Sequence, residues 1–365
     1  MKHPHNKSLN SLNSFNSPLF LLLFLLPSLT LPAQSLLPQD SSERRVTPYV
    51  NTLTPKATFR KAAKAGIILI GGGDTLRACN PCNQTPSTAL SYADICNIYK
   101  KELGDSINVY CMPIPTAIEY YCPDAAKKLT HPEAPVLNSM FDACSDSVLV
   151  VNIYNTLGDH AAERIFSRTD HHWAPRGAYY AAEKLCQVAG VPFKDLSHYE
   201  EHVIHGFVGT MPSFSGESAV RNAPEDFYYY TPRDCDYTTT YIQYKTQKQQ
   251  IIGEYPAAEG EFFKTQGSGA AYNTFMGGDS KITQVRTGVN NGRRIIIFKD
   301  SFGNAIPGYL FFSFEEVHVI DFRYFDRNIL KYIKDNKITD VVFANNLTHA
   351  CGNASYNAYK RFLKQ

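Results

Sequence analysis

Short apolar or β-branched runs alternate along this chain with stretches whose apolar positions return every three or four residues. Runs at Gly66–Ile70, Ile107–Met112, Ser147–Ile153, Arg294–Phe298, Glu316–Ile320 and Asp340–Ala344 read as strands. The periods between them predict helices over Tyr92–Leu103, Arg176–Ala189, Asn304–Phe312, Asp326–Asn336 and Ser355–Leu363. Pro175 stands where the first turn of a helix tolerates a missing N–H. Strands and helices in alternation predict an α/β fold on a largely parallel sheet.

From about residue 199 to residue 289 the rhythm fails. This stretch is rich in Gly, Thr, Tyr and Gln and carries no long apolar period, so it is expected to be an insertion or a set of surface loops. Within it Phe227-Tyr228-Tyr229-Tyr230, Tyr237, Tyr241 and Tyr244 concentrate aromatic rings. Such rings stack on sugar faces, and they equally alternate in an edge hairpin packed on a core.

The first 33 residues have a different character. Lys2 and Lys7 precede Leu19–Leu26, eight residues without a polar side chain, followed by Pro27 and a cleavage position after Ala33. This reads as a secretory signal peptide, since a membrane span needs about 20 mainly apolar residues. No Cys stands near the cleavage position to carry a lipid. The expectation is one domain over residues 34–365, with the insertion at about 199–289, acting in the periplasm or outside the cell.

Composition narrows the function. The chain is 44% hydrophobic, which excludes disorder as its main state, and it has 36 Lys and Arg against 34 Asp and Glu. Without Lys2 and Lys7 the balance is neutral, so no nucleic-acid partner is expected. All nine cysteines fall after residue 33, where an oxidising compartment permits disulfides; the odd number leaves at least one unpaired. Cys79-Asn-Pro-Cys82 lacks the second pair a structural zinc site requires, so a local disulfide or buried thiols is the simpler reading.

Two segments carry candidate chemistry. Arg168-Thr169-Asp170-His171-His172-Trp173 sets a carboxylate two residues from an imidazole, and Lys299-Asp300-Ser301-Phe302-Gly303 ends a buried-strand pattern in a hydroxyl before a predicted helix. A Ser hydroxyl becomes a nucleophile when an imidazole accepts its proton, and the imidazole works in one tautomer when a carboxylate holds it. In an extended segment residues i and i+2 share a side, so Asp170 orients His172, which activates Ser301. Backbone N–H groups near Phe302 and Gly303 are then expected to hold an oxyanion. Other uses of the same residues remain open: Asp300 as a helix cap, His171 and His172 as packed imidazoles, or Asp170, His171 and His172 as metal ligands with His160 or His131.

At these residues the sequence resembles the DHHW family of exported bacterial proteins, named for the motif Asp170-His171-His172-Trp173. The likeness extends to Ile165-Phe166-Ser167-Arg168-Thr169, Gly177-Ala178-Tyr179-Tyr180, Lys299-Asp300-Ser301-Phe302-Gly303-Asn304-Ala305 and Val319-Ile320-Asp321-Phe322-Arg323-Tyr324-Phe325. That family is similar to the SGNH hydrolase-like domains of alginate O-acetyltransferases. The resemblance implies a three-layer α/β/α, flavodoxin-like fold with Asp170, His172 and Ser301 as the triad. The Asp-x-His block precedes the Ser block, the order of the acetyltransferase branch. It further implies transfer or hydrolysis of O-acetyl groups on a cell-surface or secreted polysaccharide, with an acyl donor, a membrane-bound partner that delivers the acyl group, and neither cofactor nor metal. Asn345 or Asn346, after the strand Asp340–Ala344, looks like the segment whose Asn donates to the oxyanion. Arg323 is expected at the same rim, for an anion or the oxyanion or else paired with Asp321 or Asp326, and Trp173 as the floor of a sugar subsite or packed against a helix. The rival from another class is a carbohydrate-binding or polysaccharide-assembly protein that keeps the scaffold without turnover.

Overall fold

Five strands, Glu316–Asp321, Arg294–Lys299, Asp340–Ala344, Asn108–Cys111 and Leu149–Val150, lie side by side in that order and run parallel. Almost every residue in them is buried, which is why runs such as Ile295-Ile296-Ile297-Phe298 show no polar alternation. The computed structural model describes residues 39, 43–248 and 250–365; the expected signal peptide lies outside the described residues. No helix among the described residues is long and apolar enough to cross a membrane.

Three antiparallel strands extend the sheet to eight: Ile282–Thr287 beside Glu316–Asp321, then Tyr237–Ile242, then Ala258–Glu259. The stretch 199–289, expected as an insertion or a set of surface loops, is rich in strands, and part of it completes the central sheet. The signal was missed because Thr238, Thr240, Gln284 and Arg286 interrupt these strands; an antiparallel margin keeps polar positions that a two-sided core strand lacks. The Tyr cluster falls into two places. Glu225–Pro232 pairs with Tyr199–Phe207 in a two-stranded ribbon that buries Phe227 and Tyr230, whereas Tyr237 and Tyr241 belong to the central sheet.

The run Gly66–Ile70 also falls elsewhere. Its strand, Ile68–Ile70, is the middle of a separate antiparallel sheet with Phe59–Lys61 and Arg77–Cys79. All nine cysteines are free thiols, so Cys79 and Cys82 form no local disulfide.

Helices close both sides of the sheet, giving a three-layer α/β/α architecture. Pro86–Leu103 and Asn353–Phe362 pack through aromatic edges: Tyr99 meets Phe298 at 5.7 Å, Phe343 at 5.0 Å and Tyr359 at 6.5 Å. The first of these helices begins at Pro86 rather than Tyr92, because Thr85 and Thr88 cap it reciprocally. Pro175–Ala189 forms as its pattern predicts, with Pro175 in its first turn and Gly190 left-handed at its end.

The predicted helix Asn304–Phe312 does not form. Two 3-10 turns, Ser301–Ala305 and Pro307–Leu310, take its place, since Pro307 has no N–H for a continuous α-helical ladder. The change brings Ser301 to the first position of a tight turn, directly at the end of a central strand.

Candidate active site

The strand Arg294–Lys299 ends in two residues with opposite destinations. Lys299 is buried, and its Nζ lies 2.7 Å from Asp321 and 3.0 Å from Asp279, which anchors the strand end beneath the surface. Gly303 packs against the Lys299 side chain with no space for a Cβ. Asp300 caps the turn: its Oδ1 accepts the Phe302 N–H at 2.9 Å, and its Oδ2 accepts the Asn346 N–H at 2.9 Å. Ser301 is thereby presented at the C-terminal rim of the parallel strands, where α/β sheets commonly place their chemistry.

The other segment is a tight loop closed by an antiparallel bridge between Phe166 and Trp173. The indole N–H of Trp173 donates to the Phe302 carbonyl at 2.8 Å and ties this loop to the Ser301 turn. Inside the loop, Asp170 Oδ1 accepts from the His172 backbone N–H at 3.0 Å and lies 2.5 Å from His172 Nδ1. The opposite ring nitrogen, His172 Nε2, is 2.7 Å from Ser301 Oγ. Tyr272 stacks on the imidazole at 3.9 Å, with 6° between the planes, and donates its hydroxyl to the same Phe302 carbonyl. Carboxylate, imidazole and hydroxyl thus form one hydrogen-bonded line, each within bonding distance of the next.

Asp170 is almost fully buried, which by itself would raise its pKa, but the neighbouring His172 and the hydrogen bonds it receives hold the carboxyl well below the usual range. Its second oxygen accepts from the Thr210 N–H at 2.7 Å and the Thr210 hydroxyl at 2.9 Å. Since that hydroxyl spends its hydrogen on Asp170, the contact of 2.7 Å between Thr210 Oγ1 and His171 Nδ1 has the imidazole as donor. Burial, then the nearness of His172, push His171 down to about 4, so its ring is neutral at neutral pH.

Three ligand atoms of Asp170, His171 and His172 come within 4.8 Å of one another. Both nitrogens of His172 are nevertheless engaged, by Asp170 and by Ser301, so the cluster is satisfied as a hydrogen-bond line. His160 bonds Glu163 and stacks on Tyr180, while His131 bonds the Gln84 carbonyl; neither joins the cluster.

The supporting residues expected from the sequence are placed differently. The Phe302 and Gly303 N–H groups both donate to Asp300, to its side chain and its carbonyl, so they face inward rather than toward an oxyanion. Asn345 is buried, accepts from the hydroxyls of Tyr92 and Tyr359 at 2.9 and 2.7 Å and donates to Asp300 Oδ2 at 3.4 Å, so its amide is engaged within the core. Asn346 caps the turn Leu347–Ala350 through its Oδ1 and lines the cavity above Ser301. Arg323 is held by Asp321 at 2.6 Å and Asp279 at 2.8 Å, in the ion cluster beneath the strand end. Trp173 is fully buried, so it offers no floor to a sugar.

A cavity of about 190 Å³ opens over Ser301, walled by His171, Cys82, Glu133, Asn346 and His349 among others. A larger one, about 1110 Å³, lies beyond the loop against Arg77, Arg164 and Tyr228, and none of Asp170, His172 or Ser301 lines it. The smaller cavity is the one where groups of matched chemistry converge. Gly209, Thr210, Tyr272 and His349 escaped sequence reading: they lie far along the chain from the residues they serve, in segments without a motif. Gly209, Thr210 and Tyr272 all stood in the 199–289 stretch noted for its Gly, Thr and Tyr, where nothing singled them out, and His349 lay outside it.

The fold and this rim together define a protein with an SGNH-like α/β/α architecture. Its family follows from comparison with known proteins: the model of the family described as DHHW protein matches residues 52–320, and the chain belongs to that family. A DHHW family protein from Eubacterium siraeum has a crystal structure with 37% sequence identity and a TM-score of 0.74, covering 83% of this chain and 98% of its own. Bacillus cereus PatB1, solved with a sulfonyl adduct, is 17% identical with a TM-score of 0.63, covering 82% of this chain and 98% of that one. No curated protein matches the sequence.

Proposed function

We propose that this is an exported acyl-transfer enzyme that moves or hydrolyses O-acetyl groups on a cell-surface or secreted polysaccharide, with Ser301 as nucleophile. The observation that carries the reading is the 2.7 Å contact between His172 Nε2 and Ser301 Oγ, with Asp170 at 2.5 Å on the far side of the same ring. His172 takes the Ser301 proton as Oγ bonds to the acetyl carbon, and the carbonyl π electrons move onto oxygen. When the oxyanion collapses, the bond to the leaving oxygen breaks and His172 returns the proton to it, leaving an acetyl-Ser301. A sugar hydroxyl or water, deprotonated by the same imidazole, then attacks that ester and restores Ser301. Asp170 holds the ring tautomer and stabilises the imidazolium.

The small cavity supports a short acyl group. At about 190 Å³ it is below the roughly 300–1,000 Å³ of pockets that enclose drug-sized ligands, so it takes an acetyl ester while the glycan remains outside. The acyl donor, and a membrane-bound partner delivering it, belong to the same proposal.

The test is acetate release from 4-nitrophenyl acetate together with labelling of the protein by phenylmethylsulfonyl fluoride. Turnover that falls at least about a thousandfold in Ser301→Ala and His172→Ala, with the label mapped to Ser301, is the expected result. A wild-type protein that neither turns over nor takes the label rejects the proposal.

A further inference from the structure

An oxyanion needs N–H donors aimed at the carbonyl oxygen, and two of the turn's donors are unavailable. Phe302 and Gly303 spend their N–H groups on Asp300. Ser301, the first residue of the turn, has an N–H with no acceptor inside the turn, which supplies one donor by position. A second must come from the cavity wall.

His349 is the side chain equipped for this. It lines the same 190 Å³ cavity as Ser301, on the turn Leu347–Ala350, and its side chain is 39% exposed there. Its Nδ1 edge is fixed from below: Asp300 Oδ2 lies at 3.1 Å and Asn346 Nδ2 at 2.9 Å. The Asn346 amide has one orientation, because its Oδ1 accepts from the backbone N–H groups of Thr348 and His349. Its Nδ2 therefore donates to the ring, and a neutral His349 with Nδ1 accepting carries its hydrogen on Nε2. A protonated His349, with Nδ1–H turned to Asp300, carries a hydrogen on Nε2 as well. In both of these forms the edge of the ring not held by the protein is a donor; the other neutral tautomer, with Nδ1–H on Asp300 and Nε2 bare, would leave the Asn346 amide without its acceptor.

Resting on the acyl-transfer reading above, we infer that His349 is a catalytic residue that donates its Nε2–H to the acyl oxyanion formed on Ser301. Asp300 joins the two halves of this arrangement. One of its oxygens caps the turn that presents the nucleophile, while the other sits against the ring that binds the developing charge. A single buried carboxylate thus sets nucleophile and donor relative to each other, and catalysis of this kind depends on donors held in place before charge develops.

The experiment compares wild type, Ser301→Ala, His349→Ala and His349→Gln on 4-nitrophenyl acetate, with thermal melts to establish folding. His349→Ala is expected to lose about 10²–10³-fold in kcat, with KM changed less than about threefold and the pH profile for His172 unmoved, as for removal of an oxyanion donor. His349→Gln, which keeps a side-chain N–H, should recover at least about tenfold of that loss; a merely structural role would not follow this order. If wild type turns over in a Ser301-dependent way and His349→Ala stays within about threefold of it, or Gln is no better than Ala, the assignment of His349 falls while the triad stands. Wild type without Ser301-dependent turnover overturns both.

Discussion

Gly209 lies against the side chain of Asp170, at a position where any Cβ would overlap the carboxylate. The two residues are far apart in sequence, yet the backbone at 209 and 210 forms the wall on which the Asp170 carboxylate rests: Gly209 N–H reaches Thr169 Oγ1 at 3.2 Å and Thr210 N–H reaches Asp170 at 2.7 Å. Gly209→Ala must therefore push Asp170 or the 209–210 backbone aside. Overpacking of this kind costs about 1–3 kcal/mol, and displacement of the carboxylate should lower kcat by at least about tenfold. Thermal melts and steady-state kinetics on one preparation check both; unchanged kcat would show that Asp170 does not need this wall.

Thr210 gives Asp170 two hydrogen bonds, and only one of them comes from its side chain. Thr210→Val keeps the shape and the backbone donor while removing the hydroxyl, which also leaves His171 Nδ1 without its acceptor. The lost bond to a charged acceptor is worth about 1.5–3 kcal/mol. A fall in kcat of about tenfold, with KM little changed, is expected; a larger fall in stability than in kcat would assign the hydroxyl to folding instead.

The parts of this site legible in the sequence are those built from short segments. Asp170 and His172 meet because residues two apart share a side, and Ser301 follows an apolar run that reads as a central strand because both of its faces are covered. What escaped depends on tertiary partners. The N–H groups of Phe302 and Gly303 looked free for an oxyanion because the pattern could not reveal that Asp300 bends back to claim them. Arg323 follows a strand at the correct rim, and its pairing with Asp321, two residues before it, was open in the sequence; Asp279, from another segment, was not, and it completes the ion cluster. The strands Tyr237–Ile242 and Ile282–Thr287 were hidden by their threonines and by Gln284 and Arg286, which a sheet margin tolerates and a central strand would not.

That ion cluster makes a contrast between two cations. Lys299 is buried to about 1% exposure between Asp279 and Asp321, whereas Arg323, on the same two carboxylates, is 29% exposed. Lys299→Met leaves buried negative charge short of a partner, and breaking a buried pair in this way costs about 3–5 kcal/mol. Arg323→Ala should cost less, since water replaces part of what it supplied, and it should leave kcat/KM unchanged because Arg323 does not line the cavity over Ser301. Chemical unfolding of both variants, with kinetics on Arg323→Ala, tests the placement; a large rise in KM in that variant would return Arg323 to the substrate.

Glu133 has a different kind of consequence, visible in pH. It is fully buried at the edge of the cavity over Ser301, and burial, followed by the nearby Glu119, pushes its carboxyl above the ordinary range despite donations from the Thr116 N–H at 2.9 Å and hydroxyl at 2.5 Å. Between the ordinary carboxylate pKa and the raised one, the folded protein holds a proton that the unfolded chain has released. The folded state binds more protons in that window, so stability is complete on its acid side and declines as pH rises through the raised value. Glu133→Gln keeps the size and one acceptor for the Thr116 N–H but cannot ionise. Urea unfolding at pH 5, 7 and 9 should show wild type losing stability toward pH 9 and the variant following a flatter line, so that the difference between them shifts in favour of Gln as pH rises. Parallel lines would mean that Glu133 ionises alike in the folded and unfolded chain, and that the cavity wall carries a charge at neutral pH.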